Sequence, residues 1–206
     1  MYDVIRIDHV RAFDTYWKIP ASCETAVEGE WVEAPGYALL DEIYRRLPDI
    51  EIVAEDLGDL RPEVLTLRDH YGLPGMNIAE FTLLSPEPVA ENQLIYTGTH
   101  DNQTVMGWYR ELSREERAKV RAALAGYGAP WESAAKKLLR YVLRSKARMA
   151  IVPLMDVLRL NDRARLNTPG TVGSPNWEWR LADWRPLKRR QAFLRALIVD
   201  TGRSSN

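Results

Sequence analysis

Three carboxylates follow short apolar runs in this chain. Asp8 comes directly after Val4-Ile5-Arg6-Ile7, Glu55 directly after Ile50-Glu51-Ile52-Val53-Ala54, and Asp101 shortly after Gln93-Leu94-Ile95-Tyr96-Thr97. Arg6, His9 and His100 stand beside them. Any one of the carboxylates alone would read as a turn cap or a surface ion pair. Repeated at the same kind of position, they suggest a shared site. Paired carboxylates flanking one bond are what glycosidic chemistry requires: one ionises and attacks the anomeric carbon, the other gives its proton to the leaving oxygen. Arg6 lies two residues before Asp8, so on a strand both side chains share a face. Its guanidinium would hold Asp8 ionised, which suits a nucleophile. Glu55 has no basic neighbour in sequence, and apolar walls would raise its pKa, which suits an acid/base. Asp101 with His100 would hold sugar hydroxyls and steady oxocarbenium-like charge.

The elements that would position these groups alternate strand and helix. Strands are predicted over Val4–Ile7, 50–54, 76–81, 93–97 and 149–154. Helices are predicted over 36–47, ending at Pro48, over 62–71 with Gly72 as a left-handed cap, and over 186–199. Ser113-Arg114-Glu115-Glu116 reads as a capping box opening a helix to about Ala125, and a further helix runs from Pro130 to about Ser145. These last two form a helical excursion around 107–147. The stretch 14–35 reads as one long loop carrying Trp17 and Trp31, and 167–180 as a second loop. A β/α alternation implies parallel strands with right-handed crossovers. In such folds ligands bind at the carboxyl ends of the strands, and in a (β/α)8 barrel those ends converge on one mouth.

Composition narrows the class. Across 206 residues there are 28 Lys+Arg and 29 Asp+Glu, a balance that argues against nucleic acid as a partner. Cys23 is the single cysteine, which excludes an internal disulfide and fits a reducing compartment. No signal-peptide pattern opens the chain and no apolar run approaches a membrane span, so a cytoplasmic protein with no membrane partner is expected. No spacing of His, Asp and Glu suggests a metal, and no cofactor is expected. The seven Trp are many for this length. Trp on loops near a cleft stacks on the apolar faces of sugar rings.

Four ordered motifs then point to a family. They are Arg6-Ile7-Asp8-His9-Val10-Arg11-Ala12-Phe13, Ala54-Glu55-Asp56-Leu57-Gly58, Thr97-Gly98-Thr99-His100-Asp101-Asn102, and Ala164-Arg165-Leu166-Asn167-Thr168-Pro169-Gly170-Thr171. Together with 72–76 and Asn176-Trp177-Glu178-Trp179-Arg180, this chain resembles the 4-α-glucanotransferases (amylomaltases, or disproportionating enzymes), relatives of the α-amylases. Val10, Ala12 and Leu166 are small departures from the usual pattern. The resemblance implies a (β/α)8 TIM-type barrel and retaining transfer of α-1,4-glucan segments. It implies Asp8 as nucleophile, Glu55 as acid/base and Asp101 as transition-state stabiliser. Arg6, His9, His100 and Asn102 are expected to line the same cleft, with Trp17 and Trp31 as further glucan-binding candidates.

The family's barrel has eight strands, and this chain supplies what look like the last five. An unclosed parallel sheet leaves unpaired edges and apolar faces. The expectation is a C-terminal portion of the catalytic barrel over 1–206, weakly active or inactive alone, that self-associates or pairs with a missing N-terminal half. Two other readings stay open: a non-catalytic glucan-binding or assembly fragment, and an α-amylase-like hydrolase, since transfer and hydrolysis share the glycosyl-enzyme and differ in what accepts the sugar.

Overall fold

In chain order the computed structural model, which describes residues 2–203, contains β1 (Val4–Ile7), β2 (Thr15–Lys18), β3 (Glu30–Glu33), α1 (Gly36–Arg46), β4 (Glu51–Ala54), α2 (Pro62–His70), β5 (Gly75–Ile78), α3 (Ala79–Thr82), β6 (Gln93–Tyr96), α4 (Val105–Glu111), α5 (Arg114–Ala123), α6 (Ala134–Arg144), β7 (Met149–Ile151), α7 (Leu154–Leu158) and α8 (Arg185–Asp200). It is an α/β chain with parallel pairing between β1 and β4 and between β6 and β7. Two units divide it, Met1–Met76 and Asn77–Asn206.

In the first unit, β1 and β4 pair in register from Val4↔Glu51 to Ile7↔Ala54. Ile52, Val53 and Ala54 are all buried, so β4 is covered on both faces, as parallel strands are. The core below them joins Val10, Leu40, Val64, Leu67 and Leu73 to Ile52 and Ala54. Burying a side chain the size of Leu or Val is worth about 1.5–3 kcal/mol. Leu40 comes from α1, and Val64 and Leu67 from α2, so this core fixes both helices against the sheet. Pro62 opens α2, where a missing N–H costs nothing. Gly72 follows the helix at φ 61, the left-handed end expected of it.

The expected loop over 14–35 is instead an antiparallel hairpin. Here β2 pairs with β3 through Thr15↔Glu33, Tyr16↔Val32, Trp17↔Trp31 and Lys18↔Glu30. Its strands lack the apolar alternation that announces a half-buried strand, because most of the pair faces water. Cross-strand contacts hold it: the Trp17 and Trp31 rings meet edge-on with centroids 5.3 Å apart, and Lys18 bridges Glu30 at 3.0 Å.

In the second unit the strand order is β5-β6-β7. The predicted third strand does not run to Phe81. It stops at Ile78, and α3 begins at once, with the Thr82 hydroxyl donating to the Ile78 carbonyl at 3.1 Å. Phe81 is exposed, so the apolar run over 76–81 belongs to two elements. The fifth strand is likewise shorter than 149–154, because Pro153 ends it and caps α7. The capping box at Ser113 is present, with its hydroxyl accepting from Glu116 N–H and the Glu116 carboxylate accepting from Ser113 N–H. The helix expected from Pro130 begins at Ala134, and Ser133 is its cap. Ahead of it, Glu132 bonds Arg140 and Lys136, and these cations hold its carboxyl down at about 2.

The unit's core is Ile95, Val105, Val120, Leu124, Leu138 and Val142, where α4, α5 and α6 close over β6. Leu197 of α8 packs with Leu139 and Leu143 of α6. Beyond α8, the Arg203 guanidinium donates to the carbonyls of Leu143, Ser145 and Ala147, at 2.7, 2.8 and 2.8 Å. A cation there satisfies carbonyls left open at the end of α6 and complements its dipole. Among the described residues no helix is long and apolar enough to cross a membrane.

Candidate active site

The parallel register that ends at Ile7↔Ala54 places Asp8 and Glu55 next in line on neighbouring strands. Beyond the register, the two strand tips are tied by three hydrogen bonds. Glu55 N–H donates to the Ile7 carbonyl at 2.9 Å, Val10 N–H donates to the Glu55 carbonyl at 3.0 Å, and His9 N–H donates to the Glu55 carboxylate at 2.6 Å. His9 adopts a left-handed conformation, φ 51 and ψ 60, to make this turn. Such a backbone costs a non-glycine residue about 1 kcal/mol or more and is found where a site over-determines it. Glu55 is half-buried, and its carboxylate takes a backbone donor.

Asp8 projects into solvent, its side chain 71% exposed, and meets Arg6 Nη2 at 2.6 Å. Arg6 is held in turn by donating Nε to Met76 Sδ at 3.2 Å. The pairing inferred from the i, i+2 spacing is therefore made. Arg11 extends from the same turn. Its Nη1 donates to the Asp59 carbonyl at 2.6 Å, and its guanidinium carbon lies 4.4 Å from the centre of the Trp31 ring. Trp31 is more than half exposed, and Trp17 is fixed behind it by donating Nε1 to the Ala26 carbonyl at 2.9 Å. Arg11 therefore connects the tip of β1 to an open aromatic face on the hairpin, a contact that sequence spacing did not reveal.

The second unit carries the loop after β6. His100 Nε2 lies 3.3 Å from Asp101 Oδ2, and its ring sits 5.2 Å from that of Trp177. Asn167 Nδ2 donates to Asp101 Oδ1 at 2.6 Å, Asn167 N–H donates to the His100 carbonyl at 3.1 Å, and Arg165 Nη2 donates to the Asp101 carbonyl at 2.7 Å. Asp101 remains about half exposed. Asn102, a residue expected to line the cleft, accepts at Oδ1 from the Thr99 N–H and hydroxyl, both at 2.8 Å, and so braces the loop.

Three further carboxylates gather behind this loop. Asp156 accepts from the Thr97 hydroxyl at 2.6 Å and from Val105 N–H at 2.8 Å. Asp162 accepts from Thr104 N–H at 2.9 Å and from Gln103 Nε2 at 3.1 Å. Glu80, in the first turn of α3, has a buried Oε1 with no hydrogen-bond partner among the described residues. Burial chiefly, then repulsion from Asp156 and Asp162, pushes its carboxyl up to about 8, against the opposing pull of Arg165. The buried carboxyl of Asp156 is also raised, by burial first, although its two donors pull it back. Sequence reasoning missed Glu80, Asp156 and Asp162. The only cue was a carboxylate inside or beside an apolar run.

The family model described as 4-alpha-glucanotransferase matches residues 1–186. The chain belongs to the 4-alpha-glucanotransferase family. Among curated relatives, it is 41% identical over 215 residues to the 4-alpha-glucanotransferase of Thermus thermophilus, covering 98% of this chain and 43% of that protein. It is 42% identical over 192 residues to that of Streptococcus pneumoniae, covering 89% of this chain and 37% of the relative. Among solved structures, the amylomaltase of Streptococcus agalactiae in complex with acarbose matches with a TM-score of 0.91 at 33% identity, over 99% of this chain and 42% of that one. The chain thus spans about two-fifths of the length of the curated relatives it matches. The motifs at Asp8, Glu55, Asp101 and Asn167 all lie within the region matched by the family model.

Proposed function

We propose that this chain supplies catalytic groups for 4-α-glucanotransfer, moving α-1,4-glucan segments between oligosaccharides by retaining double displacement. Asp8 is the nucleophile, paired with Arg6. Glu55 is the acid/base, protonating the leaving oxygen and then activating the acceptor hydroxyl. Asp101, set by Asn167 and His100, takes the stabilising role that the family resemblance gives it. His9, Asn102, Trp17 and Trp31 serve the substrate site, Asn102 by shaping its loop and the tryptophans by offering apolar faces to sugar rings. The observation that supports this reading is the β1–β4 register, after which Asp8 and Glu55 are the next residues on the two neighbouring strands.

Strands β1, β4, β5, β6 and β7 are, in this reading, the last five of a (β/α)8 barrel, with the excursion around 107–147 inserted after β6. The remaining three β/α units are the partner. Two surfaces support that. Ile5 of β1 is substantially exposed. Along α8 and its N-cap, Trp184, Leu187, Leu194, Ile198 and Val199 line an apolar groove of about 710 Å³. Protein covering about two-fifths of its relatives' length leaves the missing units as the occupant of those surfaces.

The test is maltotriose turnover. The purified chain alone should release little or no glucose. Co-expression with the N-terminal portion of the Thermus thermophilus relative should give a co-eluting complex that makes glucose and longer oligosaccharides, and Glu55→Gln should abolish both products. Strong turnover by the chain alone would overturn the need for a partner. Glucose and maltose without longer products would make it a hydrolase. A co-eluting complex with unchanged turnover in Glu55→Gln would remove Glu55 from the chemistry.

A further inference from the structure

We infer that Asp156 is a positioning residue for Asp101, acting through the two ends of the loop that carries it. This rests on the reading of Asp101 as a group that stabilises the transition state. The loop leaves β6 at Thr97 and enters α4 at Val105. Asp156 holds both ends with one carboxylate: Oδ2 accepts from the Thr97 hydroxyl and Oδ1 from Val105 N–H. Asp156 and Thr97 are both buried, so water does not replace either bond. Hydrogen bonds to a buried carboxylate are stronger than neutral ones, and losing the acceptor leaves an unpaired donor out of reach of solvent.

The clamp fixes the width of the loop's base. On that base Asp162 holds the last turn through Thr104 and Gln103. Asn167 and Arg165 then reach Asp101 itself. All of these acceptors and donors come from the single stretch that follows β7. A base widened by an ångström would carry His100 and Asp101 away from Asn167, and misplacement on that scale is enough to cost an enzyme a large part of its rate. Asp156 touches no reacting atom in this arrangement, so its action passes entirely through loop geometry.

Amide hydrogen exchange of the full chain, followed by NMR, tests the clamp without requiring turnover. In Asp156→Ala and in Thr97→Val, protection of the Thr99 and Asn167 amides should fall by about tenfold or more, the factor expected for one lost bond to a carboxylate. Protection of Leu138 and Val142 in α6 should stay near wild type. Asp156→Asn should restore the protection, because its amide oxygen still accepts from Val105 and its NH2 donates to the Thr97 hydroxyl. If Thr99 and Asn167 lose no more protection than Leu138 and Val142, Asp156 is a general stabiliser and the inference fails. Should Asp156→Ala not fold, Thr97→Val alone decides in the same terms. The maltotriose assay decides the transferase reading separately, so either claim can fail without the other.

Discussion

The backbone N–H of His9 donates to the Glu55 carboxylate at 2.6 Å while His9 itself is held at φ 51. The turn at the end of β1 is therefore strained in order to present a donor to the neighbouring strand. His9→Gly relieves the strain and keeps the N–H, so the urea midpoint should hold or rise by the equivalent of about 1 kcal/mol. His9→Val places a β-branched side chain in the left-handed region and should cost about 1–3 kcal/mol. Equal destabilisation by both substitutions would show that the imidazole, not the backbone, sustains the turn.

Glu80 makes a pH prediction with a definite sign. Its carboxyl sits at about 8 in the folded chain, above the ordinary 4.5. Between these values the folded state binds a proton that the unfolded state releases. The associated stability is full below about pH 4.5 and is lost as pH rises toward 8. Glu80→Gln keeps a neutral group of the same shape, so it should flatten that decline and raise stability at pH 8 by on the order of 2–4 kcal/mol. Urea titrations at pH 5 and pH 8 check this. A midpoint difference between the two pH values that is identical in wild type and variant would mean Glu80 is already ionised across the range.

Gly29 lies under the aromatic pair of the hairpin. A Cβ there would come within 2.6 Å of the Trp17 ring and 2.7 Å of the Lys18 carbonyl oxygen. The backbone oxygen cannot move aside, so Gly29→Ala should part β2 from β3 at Trp17↔Trp31. The expected signs are a red-shifted Trp emission and loss of the fluorescence change on titration with maltoheptaose. Global stability should fall little, because the hairpin adds nothing to the Leu40–Leu67 core. Unchanged emission in Gly29→Ala would show that the pair tolerates the methyl.

Legibility in the sequence followed the reach of the interactions. The strand ends at Ile7 and Ala54, the capping box at Ser113 and the ion pair of Arg6 with Asp8 are made by neighbours along the chain, and each was readable there. The hairpin was not, because Tyr16, Trp17 and Trp31 are partly open to water and leave no apolar period to detect. Nor was the junction at Ile78, where one apolar run serves both a strand and a helix. Asp156 was not legible either. Its partners Thr97 and Val105 lie 59 and 51 residues earlier, and nothing local marks a carboxylate that binds so far away. That Asp8 and Glu55 follow strand ends was legible, while the hydrogen bonds from Asn167 and Arg165 to Asp101 required the fold.

The span between Thr97 and Asp156 also orders the birth of the molecule. A nascent chain emerges from the ribosome with its β6 tip well before residues 156–167 exist, and helices α4, α5 and α6 must be synthesised in the interval. Through that interval the Asp101 loop has neither its anchor nor its orienting amide. The placement of Asp101 therefore waits on residues 156–167, which are made more than fifty residues after the β6 tip it follows.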